Sequence, residues 1–242
     1  MYSNNIKRIL SLIVLVAFMA VGAKAQVKSY FGFFGGVSNP LGDFKSTDYN
    51  NNKSGFGKRA LTYGLDGAFY FYKNLGIGAS ITYQDNGELN QSDANSLAAG
   101  YTNSFGADDA TVTANKRYQS VNILLGPQYS IPYGKFILDI RASAGIVKTF
   151  STPETSILLS GVTNQTATFY QRSASATVLG YSGTAALRYK LSDNVFLTLR
   201  GAYLYSSGPS VTNQGRTTDI GRIVTKQPIT TINTTLGLTF GL

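Results

Sequence analysis

The acidic residues that could support chemistry form two tight clusters in one polar segment of the chain. Asp108 and Asp109 are adjacent in "FGADDATV", and Asp85 lies three residues before Glu88 in "YQDNGEL". Paired carboxylates can transfer protons or bind Ca²⁺, but neither cluster has the spacing of an EF-hand loop. We therefore interpret both clusters as solvated loop acids, with weak Ca²⁺ binding as the alternative.

The amino-acid composition removes most other chemistry. The 242-residue chain contains no His and no Cys. Hydrolases built on Ser-His-Asp or Cys-His need an imidazole or a thiolate, and zinc, copper, haem and iron–sulfur sites depend on the same side chains. We therefore expect a protein that is not an enzyme and has no metal site and no cofactor.

Two binding motifs are also missing. The glycine-rich "GFFGG" of residues 32–36 lacks the Lys-Ser/Thr pair of a phosphate-binding loop. No basic stripe with interleaved aromatic residues indicates a nucleic-acid surface. We therefore predict no nucleic-acid partner.

Five basic residues lie where predicted strands meet long polar connectors. Side chains at such positions can bind the phosphates of lipopolysaccharide in an outer leaflet. The alternative is that their alkyl stems simply extend along a membrane interface. The five are Lys58, Arg59, Lys116, Arg117 and Lys148.

The N-terminus has the pattern of an export signal. Lys7 and Arg8 precede an apolar run over residues 9–22, and Ala23-Lys24-Ala25 supplies the small residues of a cleavage site. We predict a signal peptide over residues 1–25 and a mature domain over residues 26–242. The alternative, a retained membrane anchor, is disfavoured because the apolar run is shorter than the ~20 residues that a spanning helix needs.

The mature chain has strand periodicity and no sustained helical period. Large apolar residues alternate with small or polar ones in eight runs, which is typical of half-buried strands. The predicted strands cover residues 27–37, 60–72, 76–85, 117–130, 135–148, 176–190, 195–206 and 229–242.

Short and long connectors alternate strictly between these strands. The short ones, at residues 73–76, 131–135 and 191–194, contain Gly, Pro, Asn or Asp and predict tight turns. The long ones, which we predict to be polar surface loops, cover residues 38–59, 86–116, 149–175 and 207–228. Because successive antiparallel strands reverse direction, all tight turns lie at one end. Short periplasmic turns and long extracellular loops are typical of outer-membrane barrels.

Charged residues in the middle of the predicted strands lie on the face opposite the large apolar residues. A membrane barrel must be apolar outside and can be polar inside, so we predict that these charges form an ion-pair network in the lumen. The first strand has aromatics on both faces, and its inward face stays unassigned. The predicted lumen charges are Asp66, Asp139, Arg141, Arg188 and Arg200.

The chain ends in a regular alternation, "TLGLTFGL", with Leu236, Leu238, Phe240 and Leu242 on one face. Together with the signal peptide and the eight strands, this ending resembles the small outer-membrane β-barrel proteins of Gram-negative bacteria. The similarity is to the porin-like PorT or OmpX/OmpA-barrel type that is common in Bacteroidota. The resemblance implies that these four residues are the signal read by the barrel assembly machinery. That signal usually ends in an aromatic residue, whereas here the aromatic is Phe240 and the terminal residue is Leu242.

These observations predict an all-β protein, an eight-stranded antiparallel up-and-down transmembrane β-barrel of the outer membrane. Eight strands leave an interior that side chains can just fill, which favours a structural or interaction protein. Its expected partners are outer-membrane lipids, including lipopolysaccharide, and an unidentified protein bound by the long loops. Two alternatives stay open. One is a narrow transport or ion channel through the charged lumen, and the other is a soluble periplasmic β protein.

Overall fold

The computed structural model describes residues 27–162, 165–216 and 223–242. The predicted signal peptide lies outside these residues. Eight long strands are β1 (Tyr30–Pro40), β2 (Ala60–Tyr72), β3 (Leu75–Asp85), β5 (Gln119–Tyr133), β6 (Phe136–Ser151), β9 (Ala176–Lys190), β10 (Val195–Ser206) and β13 (Ile229–Gly241). The connectors contain β4 (Asp109–Asn115), β7 (Glu154–Val162), β8 (Gln165–Arg172), β11 (Ser210–Arg216), β12 (Ile223–Lys226), a 3₁₀ turn (Gly42–Phe44) and helix α1 (Gln91–Phe105).

The eight long strands close into one antiparallel barrel in the order β1-β13-β10-β9-β6-β5-β3-β2. The predicted eight-stranded up-and-down barrel is therefore confirmed. The closing pair joins Tyr30 to Gly241 and Phe33 to Leu238, and the amide of Leu242 donates to the carbonyl of Ser29 at 2.8 Å. Closure leaves no strand edge of the barrel unpaired, as a sheet in hydrocarbon requires.

The structure resolves which face of β1 is inside. Phe31 and Phe33 point outward and are about half exposed, whereas Tyr30 and Ser38 are buried in the lumen. The small inward residues Gly32 and Gly36 lie against the backbone of β13, where a Cβ would collide with it. The aromatic residues on the two faces of β1 therefore lie in different surroundings, with Phe31 and Phe33 on the outer surface and Tyr30 in the lumen.

The three tight turns lie where the sequence predicts them. Lys73, between β2 and β3, has φ 47°, and Gly134, between β5 and β6, has φ 59°. A left-handed backbone lets a two-residue connection follow the twist of the flanking strands. The third turn, residues 191–194, joins β9 to β10.

The long connectors, predicted as polar surface loops, contain a helix and five strands that were not predicted from the sequence. In the second connector, α1 begins after Asn90, whose side chain accepts from the amide of Asp93 at 2.9 Å, and ends at Gly106 with φ 60°. These are standard helix caps. The helix fully buries Ala94 and Leu97, and Tyr101 and Phe105 continue the same face. This apolar face is narrow and interrupted by polar and small residues, so the sequence pattern did not stand out. None of the described helices is long and apolar enough to span a membrane.

The connectors also form a second sheet, in the order β12-β11-β8-β7-β4. Helix α1 packs on one face of this sheet, where Tyr101 and Phe105 meet Leu159 and Phe169. We call α1 and the five strands the cap. The cap lies at the long-loop end of the barrel, because all its segments belong to the long connectors.

Candidate functional site

The five predicted lumen charges point into the barrel and form two ion-pair groups. Asp66 accepts from Arg141 Nη1 at 2.7 Å, and Arg200 Nη1 lies 3.4 Å from the same carboxylate. Asp139 accepts from Arg188 Nε at 2.6 Å and from its Nη2 at 2.9 Å. Arg188 is only 1% exposed. Each buried charge therefore has an opposite charge beside it, as burial requires.

Neutral polar residues join the two groups. Gln128 accepts from Arg141 Nε at 2.7 Å and donates to the hydroxyl of Tyr70 at 2.6 Å. The hydroxyl of Tyr30 donates to Asp66 at 2.9 Å, and Ser130 bonds the carboxylate of Asp139. The sequence prediction missed these residues. The alternation along β1, β2 and β5 places these side chains on the inward face, and this phase could have predicted their contact with the lumen charges.

Aromatic rings hold two of the guanidinium groups. The Cζ atom of Arg188 lies 4.1 Å from the ring centre of Tyr30, and that of Arg200 lies 4.6 Å from the ring centre of Phe34. Such contacts are stronger where water is excluded. Three guanidinium groups face two carboxylates, so this layer carries one excess positive charge. Arg200 Nε has no hydrogen-bond partner within the described residues.

A small hydrophobic cluster lies in the lumen near the long-loop end of the barrel. Phe44, from the 3₁₀ turn after β1, has no exposed surface and packs edge-to-face on Tyr118 with ring centres 4.7 Å apart. Leu124, Val147 and Leu204 complete this cluster from the barrel wall. We call the cluster of Phe44, Tyr118, Leu124, Val147 and Leu204 the plug. No sequence pattern predicts it, because one aromatic in a polar loop has no periodicity.

Three of the five basic residues proposed for lipopolysaccharide contact are paired with carboxylates. Lys58 pairs with Asp93 of α1. Lys116 Nζ lies 2.9 Å from Glu154, at the start of β7. These two pairs connect loop segments that are distant in sequence, so the two lysine side chains contribute to the packing of the cap.

Arg117 is the third paired residue, and it compensates one acidic cluster. Its Nε lies 3.0 Å from Asp85 and its Nη1 lies 3.5 Å from Glu88. The hydrogen bond to Asp85 and the charge of that carboxylate raise the pKa of Arg117, and they outweigh the opposing effect of burial. Within the described residues, no group of three or more His, Cys, Asp or Glu side chains could hold a metal ion.

Arg59 and Lys148 are placed differently. Arg59 precedes β2 and is exposed, and Lys148 is near the long-loop end of β6 and half-buried. On β6, Val147 and Thr149 are buried in the lumen, so Lys148 points outward. Among the described residues, neither side chain has a salt bridge. Both lie on the outer surface at the long-loop end.

The outer surface between the two barrel ends is apolar and bordered by aromatic pairs. Tyr63 and Tyr83 lie with ring centres 5.1 Å apart near the long-loop end, and Phe136 and Tyr189 lie 5.0 Å apart near the tight-turn end. Between them the outward side chains of the barrel strands are uncharged, including the half-exposed Leu65. An uncharged outer band around a charged lumen is the arrangement of a membrane barrel. The fold is that of a small outer-membrane β-barrel.

Searches of known proteins find similar chains only among solved structures. No family model and no curated protein matches the chain. Neisserial surface protein A aligns with a TM-score of 0.47 and 10% identity over 88% of this chain and 97% of its own. A major outer membrane protein from Thermus thermophilus aligns with a TM-score of 0.42 and 11% identity over 88% and 99% of the two chains. The Yersinia pestis attachment invasion locus protein Ail, crystallised with the heparin analogue sucrose octasulfate, gives 0.38 and 13% over 89% and 97%.

In this outer-membrane barrel the proposed assembly signal lies on β13. Leu236 and Leu238 point outward in the middle of the strand, and Leu238 pairs with Phe33 on one side and Leu197 on the other. Phe240 stacks near Phe31 with ring centres 5.5 Å apart. Leu242 follows the end of β13 and is largely exposed. The four residues form one apolar outer stripe.

Proposed function

We propose that this outer-membrane barrel is a non-enzymatic interaction protein that displays its cap outside the cell. The observation that carries the proposal is the cap itself, in which separate connectors fold into one sheet and one helix. Tyr101 packs in its core against Phe169, and this burial raises the pKa of the Tyr101 side chain to about 12. A folded cap offers a fixed surface, which unstructured loops would not.

The cap face opposite α1 has the chemistry of a polar interaction surface. Thr111, Leu158 and Thr168 lie side by side across β4, β7 and β8. Two of the exposed large side chains on this face are Leu158 and Tyr170, both more than a third exposed. Hydroxyl groups around a few apolar side chains suit a partner that binds by hydrogen bonds and local apolar contacts.

The lumen supports this assignment over a channel. The ion-pair layer buries Arg188 and Asp139, and the plug buries Phe44, so two levels of the lumen are filled by packed side chains. A soluble periplasmic protein is disfavoured for a different reason. Leu61, Phe69 and Leu179 are each more than 60% exposed, which only a lipid surrounding makes favourable.

Lipid contacts at the long-loop end are part of the proposal. Lys148 points outward at the height of Tyr63 and Tyr83, to which the strand pairing connects it, and Arg59 is exposed just before β2. We propose that these two side chains bind lipopolysaccharide phosphates. Replacing both with Gln should weaken the stabilisation that added lipopolysaccharide gives to the folded protein in detergent. K53Q, on an exposed loop, is the control. An unchanged response of the double variant would contradict this contact.

The display of the cap can be tested with single cysteines, because the chain has none of its own. T113C lies on the exposed cap face and S192C lies in a tight turn. A membrane-impermeant maleimide should label T113C on intact cells and S192C only after the outer membrane is opened. The reverse pattern would contradict the orientation.

The interaction itself can be tested by site-specific photocrosslinking on intact cells. A photoreactive residue at Tyr170 or Leu158 should give one discrete adduct. The same residue at Leu199, on the lipid face, is the control and should give none. Absence of an adduct at both cap positions would contradict the proposed role.

A further inference from the structure

The periplasmic mouth of the barrel contains a pocket far from the cap. Its volume is about 180 Å³, and it is lined by Lys28, Lys135, Ile137, Arg188, Lys190 and Phe196. We call it the vestibule. A water molecule takes roughly 30 Å³ of liquid, so the vestibule has room for a group several times that size.

Arg188 forms the floor of the vestibule and is held rigidly. Its Nε and Nη2 bond Asp139, and its guanidinium lies over the rings of Tyr30 and Phe196. Its Nη1 makes no hydrogen bond within the part of the chain that the structure describes. Arg188 therefore lines the vestibule and keeps one guanidinium nitrogen, Nη1, that Asp139 does not use.

Three lysines surround this floor from three separate segments. Lys28 Nζ donates to the side chain of Asn194 at 3.0 Å, and Lys190 Nζ lies 2.9 Å from Asp193. Lys135 is exposed at its turn and has no salt bridge among the described residues. Among the described residues, Asp139 pairs with Arg188 and Asp193 pairs with Lys190, so these four basic and two acidic side chains leave two excess positive charges at the vestibule.

We propose that the vestibule binds one phosphate-sized oxyanion, with Arg188 at the floor and Lys28, Lys135 and Lys190 at the rim. A phosphate group presents several acceptor oxygens in different directions, which matches donors on several sides of one pocket. A carboxylate offers only two oxygens in one plane. The phosphate can come from an inner-leaflet phospholipid headgroup or from a soluble periplasmic phosphate compound.

The test uses the folded protein in maltoside micelles, which contain no phosphate. Backbone amide NMR signals of Gly134, Lys135 and Asp193 are followed during titration with inorganic phosphate, with chloride at equal ionic strength as the reference. In a second arm, phosphatidylglycerol is added, with diacylglycerol as the phosphate-free lipid. The proposal expects saturable shifts that neither reference reproduces.

Lysine variants decide whether the vestibule causes the shifts. K28Q/K135Q should bind about a hundredfold more weakly, the order expected for losing two charge-assisted hydrogen bonds. K53Q/K226Q removes the same charge from exposed positions outside the vestibule and should bind as the wild type does. These variants leave the Arg188–Asp139 pair intact, so the barrel should still fold.

The outcomes distinguish the two sources of phosphate. A response to inorganic phosphate supports a soluble ligand, and a response to phosphatidylglycerol alone supports a lipid headgroup. No response in either arm would overturn the proposal. So would a response that K28Q/K135Q retains in full, because it would reflect dispersed surface charge.

Discussion

At the scale of single residues, the lumen is organised by a few charges that must be compensated. Their positions follow from strand phase, since Asp139 and Arg141 alternate with outward Leu138 and Ile140. The sequence could therefore predict that these charges point inward. It could not predict which acid meets which base, because Asp66 and Arg141 lie on strands that are not neighbours in the barrel.

The Asp139–Arg188 pair should be essential for stability. Asp139→Ala would leave Arg188 charged and without its carboxylate in a buried site, which costs about 3–5 kcal/mol in comparable buried pairs. Urea unfolding in detergent, followed by the shift in gel migration between folded and boiled protein, measures the loss. Asp193→Ala removes an exposed partner of Lys190 and should leave the midpoint unchanged. Equal effects of the two substitutions would contradict the importance of burial.

Gly78 makes room for the ion-pair layer. A Cβ at this position would lie 2.5 Å from Arg141 Cζ and 2.6 Å from Gln128 Oε1, both of which are fixed by other contacts. Gly78→Ala should therefore destabilise the barrel by about 1–3 kcal/mol, the usual cost of overpacking. Gly183→Ala is the matched control, because nothing lies within 4 Å of the added atom. The same unfolding assay separates the two, and a tolerated Gly78→Ala would show that Arg141 can move.

At the scale of secondary-structure elements, β13 shows how the two barrel faces tolerate different changes. Leu238 points to lipid between Phe33 and Leu197, whereas Thr239 points to the lumen and bonds Thr198. Leu238→Arg should cost about 2–4 kcal/mol if its position is near the bilayer midplane and should reduce folding into membrane. Thr239→Ser keeps the hydroxyl and should fold normally. Heat-modifiable gel migration reports both, and normal folding of Leu238→Arg would contradict the assigned lipid face.

Helix α1 and the cap sheet mark the limit of what the sequence could predict. Apart from the closing pair, each barrel strand pairs with the barrel strands before and after it along the chain, and every second pair is joined by a tight turn such as Lys73–Asn74. Strand periodicity and turn composition were therefore sufficient. The cap pairs β4 with β7 and β8 with β11, across long stretches of intervening chain. Their segments are short and rich in Thr, Ser and Asn, so their periodicity is weak. The β4–β7 and β8–β11 pairings are therefore set by tertiary packing that no local pattern encodes.

At the scale of the whole molecule, the barrel joins three surfaces with different chemistry. The cap is polar with a few exposed apolar side chains, the wall is apolar, and the mouth at the tight-turn end is basic. The lumen between the cap and the mouth is filled at two levels, by the plug and by the ion-pair layer. A solute or ion that crossed the barrel would therefore have to pass both levels.

Because the plug and the ion-pair layer fill the lumen at two successive levels, we predict that loss of either one alone does not make the barrel conduct ions. Phe44→Ala removes the plug side chain, at a cost of about 3–5 kcal/mol, but leaves the layer of Asp66, Arg141 and Arg200. Arg141→Ala weakens that layer but leaves the plug. Planar-bilayer recordings of the wild type and of each folded single variant should therefore show no reproducible unit conductance, and gel migration confirms that each variant is folded. Wild-type openings that Arg141→Ala abolishes would instead establish a channel controlled by the lumen charges.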